Sequence, residues 1–201
     1  GNGETRGNAV GSHYLPDPDG TGPELAPETD YAYDAAGQLV STTDPLDRVT
    51  SYEYDDLGRR VKQIDPDPDG DPGSGQPAAE HQTRYDLRGS VIERIDPLGH
   101  STEYVYDNLG RLTSQIDALS GTTSYTYDLA GNRLTLTDPE SNTTSWVYDD
   151  LNRQVEETNE LGDTRYFHYD AAGRLTRRVD RLGRVRQFEH DNLSRNTAEI
   201  W

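Results

Sequence analysis

The chain has no cysteine and no methionine, and hydrophobic residues make up only 31% of its 201 positions. Without cysteine there is no disulfide framework, no thiolate nucleophile and no sulfur-ligated metal site. The shortage of Leu, Ile, Val and Phe excludes a thick globular core and predicts a thin layer with two faces. No apolar run approaches the ~20 residues of a membrane helix, and the first residues lack the basic and apolar regions of a signal peptide. No membrane span is expected in this segment. Basic residues are also few, 19 against 37 acidic, and the resulting net charge of -18 repels polyanions. Nucleic acid is therefore not an expected partner.

What the sequence does have is a period. Versions of Tyr104-Val105-Tyr106-Asp107-Asn108-Leu109-Gly110-Arg111-Leu112 begin at Tyr31, Tyr52, Thr83, Tyr104, Tyr125, Trp146, Phe167 and Phe188. All steps are 21 residues except that from Tyr52 to Thr83, which is 31 and so carries a ten-residue insertion. A fixed period of this size marks a supersecondary unit that buries its surface only against its neighbours. Of the 17 aromatic residues, 14 fall at the first and third positions of the repeat. That spacing puts both rings of a pair on one face of a strand, and stacked repeats would line them into ladders worth about 0.2 to 1 kcal/mol per pair.

The fourth position is Asp in all eight copies, and three residues later stands Gly, replaced by Asn152 and Ser194 in two copies. Asp opening a type I turn accepts backbone N–H bonds, and the positive-φ residue that closes a bulged hairpin suits Gly best and Asn next. Ten residues after those aspartates a second turn signal recurs, as in Asp96-Pro97-Leu98-Gly99 and Asp180-Arg181-Leu182-Gly183. Each repeat therefore reads as strand, turn, strand, turn, with strands of about seven residues. A lone hairpin is marginal in water, whereas hairpins joined edge to edge share their edges and twist in a fixed sense.

The predicted fold is all-β: an extended antiparallel sheet of tandem β-hairpins that coils into a spiral or shell wall. Residues 1–30 read as a degenerate partial repeat with an Asp/Pro/Gly-rich linker, and residues 31–201 as the array, interrupted at about 67–80. The half repeat at the start and the truncated one at Trp201 suggest a segment of a longer chain.

Nothing reads as a nucleophile elbow, a Walker loop or a dinucleotide fingerprint. The five histidines are scattered, and 14 of the 24 aspartates occupy the two turn positions, which points away from catalysis. The insertion places Asp65, Asp67, Asp69 and Asp71 at alternate positions before glycine, like the first half of a calcium loop, and makes Ca2+ the one cofactor to test for. Tyr104, Tyr106, Tyr125, Tyr127, Trp146 and Tyr148 are the rings a sugar or a surface receptor would stack on if their faces were open. The arginines at 174, 177, 178, 181, 184 and 186 are expected to pair with acidic neighbours across the sheet.

The motif Tyr-x-Tyr-Asp-x-x-Gly-Arg, followed by Asp-Pro-x-Gly, resembles the YD repeats of the Rhs family, which also occur in insecticidal toxin complexes and teneurins. The likeness covers residues 31–201. It implies a spiral of hairpins forming part of a hollow shell that encloses a C-terminal toxin or effector polypeptide, secreted or on a cell surface, with further YD repeats of the same chain as neighbours. Related proteins meet glycans or receptors, so a carbohydrate- or receptor-binding module and a surface fibre are the alternatives. The family's shell-closing core, with its paired aspartates after a proline-rich stretch, is absent from this sequence. Its autoproteolysis is therefore carried over to no residue.

Overall fold

A computed structural model describes residues 5–6, 28–68 and 77–201. Among these residues there are strands and turns and no helix. The chain divides into two compact units, residues 1–101 and 102–201. The first holds β1 (Thr5–Arg6), β2 (Asp30–Tyr33), β3 (Leu39–Thr43), β4 (Val49–Tyr54), β5 (Arg60–Ile64), β6 (Glu80–Tyr85) and β7 (Val91–Ile95). β1 lies antiparallel to β2, and β2 to β7 pair in chain order as an antiparallel sheet.

The second unit follows the same plan with β8 (Ser101–Tyr106), β9 (Leu112–Ile116), β10 (Thr122–Tyr127), β11 (Arg133–Thr137), β12 (Thr143–Tyr148), β13 (Gln154–Thr158), β14 (Thr164–Tyr169), β15 (Leu175–Val179), β16 (Val185–His190) and β17 (Asn196–Ile200). Each strand is antiparallel to the next. From β3 onward the strands have five or six residues, not the seven expected from spacing. The turns consume the difference. The Asp107 N–H bonds the Arg111 carbonyl at 2.9 Å and the Gly110 N–H bonds the Asp107 carbonyl at 3.0 Å, while Asp107 Oδ1 accepts the N–H groups of Leu109 and Arg111. Gly110 completes the loop at φ 78°, a conformation that costs other residues about 1 to 2 kcal/mol.

The two kinds of strand contact differ. Within a hairpin the register runs the full width and shifts once, at a β-bulge such as Thr126/Tyr127. Between hairpins it stops after three pairs, as in Thr135↔Ser145, Leu136↔Thr144 and Thr137↔Thr143. The half of each hairpin that carries the Tyr-x-Tyr-Asp turn therefore has no backbone ladder to its neighbour. No described residue is buried, so each unit is a single layer whose rings are half-covered by neighbouring strands.

Thr83 is the one first-position residue without a ring. Ile92, diagonal to it, is 37% exposed, whereas on the other strands that are paired on both sides the equivalent residues Val40, Val61, Thr113, Leu134, Val155 and Thr176 are half-buried. Threonine is too short to cover the diagonal neighbour that a tyrosine reaches. Replacing Thr83 by Tyr should raise the stability to urea by about 0.5 to 1 kcal/mol. An unchanged or lower midpoint would show that the ring ladder does not stabilise the sheet.

Candidate functional site

The half-width without a ladder is bridged by side chains, and the same group does it repeatedly. Arg111 donates through Nε to Asp107 Oδ2 at 2.7 Å and through Nη1 to the Asp128 carbonyl of the next hairpin, also at 2.7 Å. Its guanidinium lies over the Tyr127 ring, 4.8 Å from the centroid. The Tyr127 hydroxyl in turn donates back to the Leu112 carbonyl at 2.8 Å. One arginine thus ties its own turn to the carbonyl and the ring of the following turn.

Arg59 does the same to Asp86 and Tyr85, and Arg153 to Asp170 and Tyr169. Arg174 reaches the Asp191 carbonyl at 3.0 Å. Hydroxyl bonds from Tyr54, Tyr85, Tyr148 and Tyr169 to the preceding hairpin complete the set. A planar donor fork is what this needs, since lysine offers a point charge and cannot bond in two directions in one plane.

The second-turn rim is simpler. Arg48 and Arg184 pair with Asp44 and Asp180 of their own turns and remain more than half exposed. His100 stands in the same place, its Nδ1 at 2.9 Å from Asp96 Oδ2.

These contacts set the charge state of the turns. The Arg59 and Arg153 side chains hold the carboxyls of Asp55 and Asp149 below the usual 3.8. For Asp107 and Asp170 the main cause is the bond from the backbone N–H of Arg111 and Arg174, with the guanidinium adding to it.

The residues singled out for binding are placed as follows. Tyr104, Tyr106, Tyr125, Tyr127, Trp146 and Tyr148 lie on β8, β10 and β12, all half-buried. The faces of Tyr127 and Trp146 are taken by Arg111 and Arg133. Of the Ca2+ candidates, Asp69 and Asp71 lie outside the described residues. Asp65 accepts from Gln63 at 2.6 Å and stands 3.2 Å from His81 Nε2. Among the described residues no three His, Cys, Asp or Glu side chains gather as a metal site, and no helix is long and apolar enough to cross a membrane. In the arginine-rich repeat, Arg174 pairs with Asp170, Arg184 with Asp180, Arg181 with Glu157 and Arg186 with Glu199. The cross-repeat reach of the Gly-Arg arginine was not foreseen. Its recurrence beside the turn glycine was the available signal.

The RHS Repeat family profile matches residues 33–70, 85–122, 106–143, 127–164 and 169–199. The chain belongs to the RHS Repeat family. No curated protein sequence matches it. Among solved structures, this Rhs chain is similar to the TcdB2-TccC3-Cdc42 crystal structure, with a TM-score of 0.69 and 16% identity over 98% of this chain and 12% of that one. The Photorhabdus luminescens Tc holotoxin pore, TccC3-D651A mutant, has a TM-score of 0.66 and 17% identity over 86% of this chain and 10% of that one. TcdB2-TccC3 without its hypervariable C-terminal region has the same TM-score at 18% identity, again over 86% of this chain and 10% of the other. The Rhs chain thus spans about a tenth of the proteins it resembles.

Two outcomes follow from the clamp geometry. Arg111→Lys should destabilise the Rhs sheet by about 1 to 2 kcal/mol, because charged hydrogen bonds and the ring contact are lost together. Arg184→Lys, whose partner is its own turn, should stay within about 0.5 kcal/mol; equal losses in denaturant unfolding would dissolve the distinction. The carboxyls of Asp55, Asp107, Asp149 and Asp170 titrate lower when folded than when unfolded, so their stabilisation is complete above 3.8 and is lost as pH falls through that value toward the folded ones. A thermal midpoint that stays flat from neutral pH to pH 2 would contradict this.

Proposed function

We propose that these repeats are a stretch of wall from an Rhs-type shell that encloses a C-terminal toxin or effector polypeptide, and that they perform no chemistry themselves. The array runs from residue 31 to 201 within a longer, secreted or surface-exposed chain. One observation carries this reading: neighbouring hairpins are locked by the arginine clamp across the half-width where no backbone ladder joins them. A single layer without a core gains its strength laterally, from contacts repeated along the sheet, which suits a barrier more than a catalyst. Most of the turn aspartates, which a hydrolase would need free, already accept backbone N–H groups of their own turn, and Asp55, Asp107, Asp149 and Asp170 are bonded to arginines as well. The Tc structures it resembles include one described as lacking a hypervariable C-terminal region, in keeping with a wall that holds an exchangeable passenger.

The competing reading, stacking of glycans on the aromatic face, needs open rings. The described rings of that face with the most exposure are Tyr31 and Tyr33, at 51% and 38%, whereas arginines already cover Tyr85, Tyr127, Trp146 and Tyr169.

Limited proteolysis of the full-length chain that contains these repeats tests the proposal. The C-terminal passenger should survive a protease that rapidly degrades the same domain expressed alone, and should become sensitive once the particle is opened. Equal digestion rates in both settings would overturn it.

A further inference from the structure

Thr83 interrupts the row of first-position rings, and the interruption leaves room. Between the hairpin of β4 and β5 and that of β6 and β7 lies an open cleft of about 480 Å3, whose lining includes Val61, Thr83, Tyr85 and Ile92. Its size falls within the roughly 300 to 1,000 Å3 of small-molecule sites. It sits where backbone pairing between the two hairpins has ended, since the β5–β6 ladder stops at Lys62↔Gln82. In seven of the eight repeats the first position is tyrosine, tryptophan or phenylalanine. Threonine is too short to fill the same space.

We propose that this cleft is a binding site for a neutral aromatic molecule, which lies where the other repeats place their first-position ring. Three observations select that ligand. The first is charge. Every ionic group of the lining is paired: Asp55 with Arg59 at 2.7 Å, Lys62 with Glu53 at 3.8 Å and Glu80 at 2.8 Å, and Arg84 with Glu93 at 2.7 Å. An ion would have to displace one of these partners, whereas a neutral ring needs only apolar surface.

The second is that such surface is present and held still. Ile92 is 37% exposed and Val61 lines the same cleft. The Tyr85 ring beside them is fixed, its face under the Arg59 guanidinium at 4.7 Å and its hydroxyl donating to the Arg60 carbonyl at 3.0 Å.

The third is Arg60. Its counterpart Arg133 lies over Trp146, the first-position ring of the following hairpin, 4.4 Å from the centroid. Arg60 has Thr83 in the equivalent place and lies instead over Tyr52 of its own hairpin, at 5.4 Å. A ring bound beside Thr83 offers this guanidinium the kind of face that Arg133 already has, and a cation is attracted to an aromatic face but not to a saturated ring. The site goes beyond the shell reading and does not depend on it.

Amide shifts of the 15N-labelled 201-residue chain during titration with p-cresol, the tyrosine side chain without its backbone, test the inference. The shifts should saturate at about millimolar p-cresol and be largest around Val61, Thr83, Tyr85 and Ile92. Replacing p-cresol by 4-methylcyclohexanol, or Arg60 by Leu, should each weaken binding by about threefold, because both remove the contact between cation and ring. Thr83→Tyr, checked for folding by its thermal midpoint, should abolish binding, its own ring filling the cleft. Absence of saturable shifts at the cleft, binding that survives Thr83→Tyr, or equal affinity for the aromatic and the saturated probe overturns the inference.

Discussion

The bond on which the structure depends is the one that Arg59, Arg111, Arg153 and Arg174 make to the carbonyl of the next hairpin's turn aspartate. Backbone pairing between hairpins covers only one half of their width. In the other half, carbonyls such as those of Leu39 and Leu112 have no ladder partner on the neighbouring hairpin, and unpaired polar groups are costly wherever water is excluded. The tyrosine hydroxyls satisfy those carbonyls. The arginine then closes over the ring that delivers the hydroxyl. Aspartate, arginine and tyrosine are thus one device: the carboxylate aims the guanidinium, which holds the ring, which places the hydroxyl. With no buried residue among those described, this device and the ladders take the place of a core.

Gln38, Ser90 and Asn132 take the arginine's place in three repeats, and the last of these shows how specific the reach is. At position 132 the arginine is replaced by Asn, which is too short to bridge to the next carbonyl. Its Nδ2 bonds Asp128 Oδ2 and also Asn152 Oδ1, both at 2.8 Å. Asn152 sits where the other repeats prefer Gly, at φ 59°, and tolerates that backbone better than most residues. The next turn extends a side chain to meet the shortened clamp. Two departures from the motif, 20 residues apart, are a single compensated change, and the bridge is made from the other side.

Much of this was legible in the sequence, because period and turn chemistry are local. The rings at first and third positions and the Asp and Gly of each turn fix the hairpins without knowledge of any long-range contact. The bulges were harder to read. Apolar residues such as Leu112 and Ile116 recur at uneven spacing, and Thr and Ser fill both sheet faces, so the point where the register shifts leaves no hydrophobic signature. The clamp was hidden for another reason. Arg111 and Asp128 are 17 residues apart, and their meeting depends on how far the ladder between β9 and β10 extends, which sequence spacing does not encode. Whether the candidate stacking rings are open is likewise not encoded locally, because the guanidiniums over Tyr127 and Trp146 come from Arg111 and Arg133, distant in the chain from the rings they meet.

A sheet of this design stores its stability one neighbour at a time. Each added hairpin contributes three ladder pairs and, where Arg59, Arg111, Arg153 or Arg174 follows the turn, an arginine bridge, and loses none of those already formed. Length therefore adds strength without adding thickness, which a globular core cannot do, because its interior grows faster than the surface that must stay polar. The same economy explains the composition: a layer with both faces near water has little use for Ile and Phe, and takes Thr pairs such as Thr137 with Thr143 and Thr158 with Thr164 in their place.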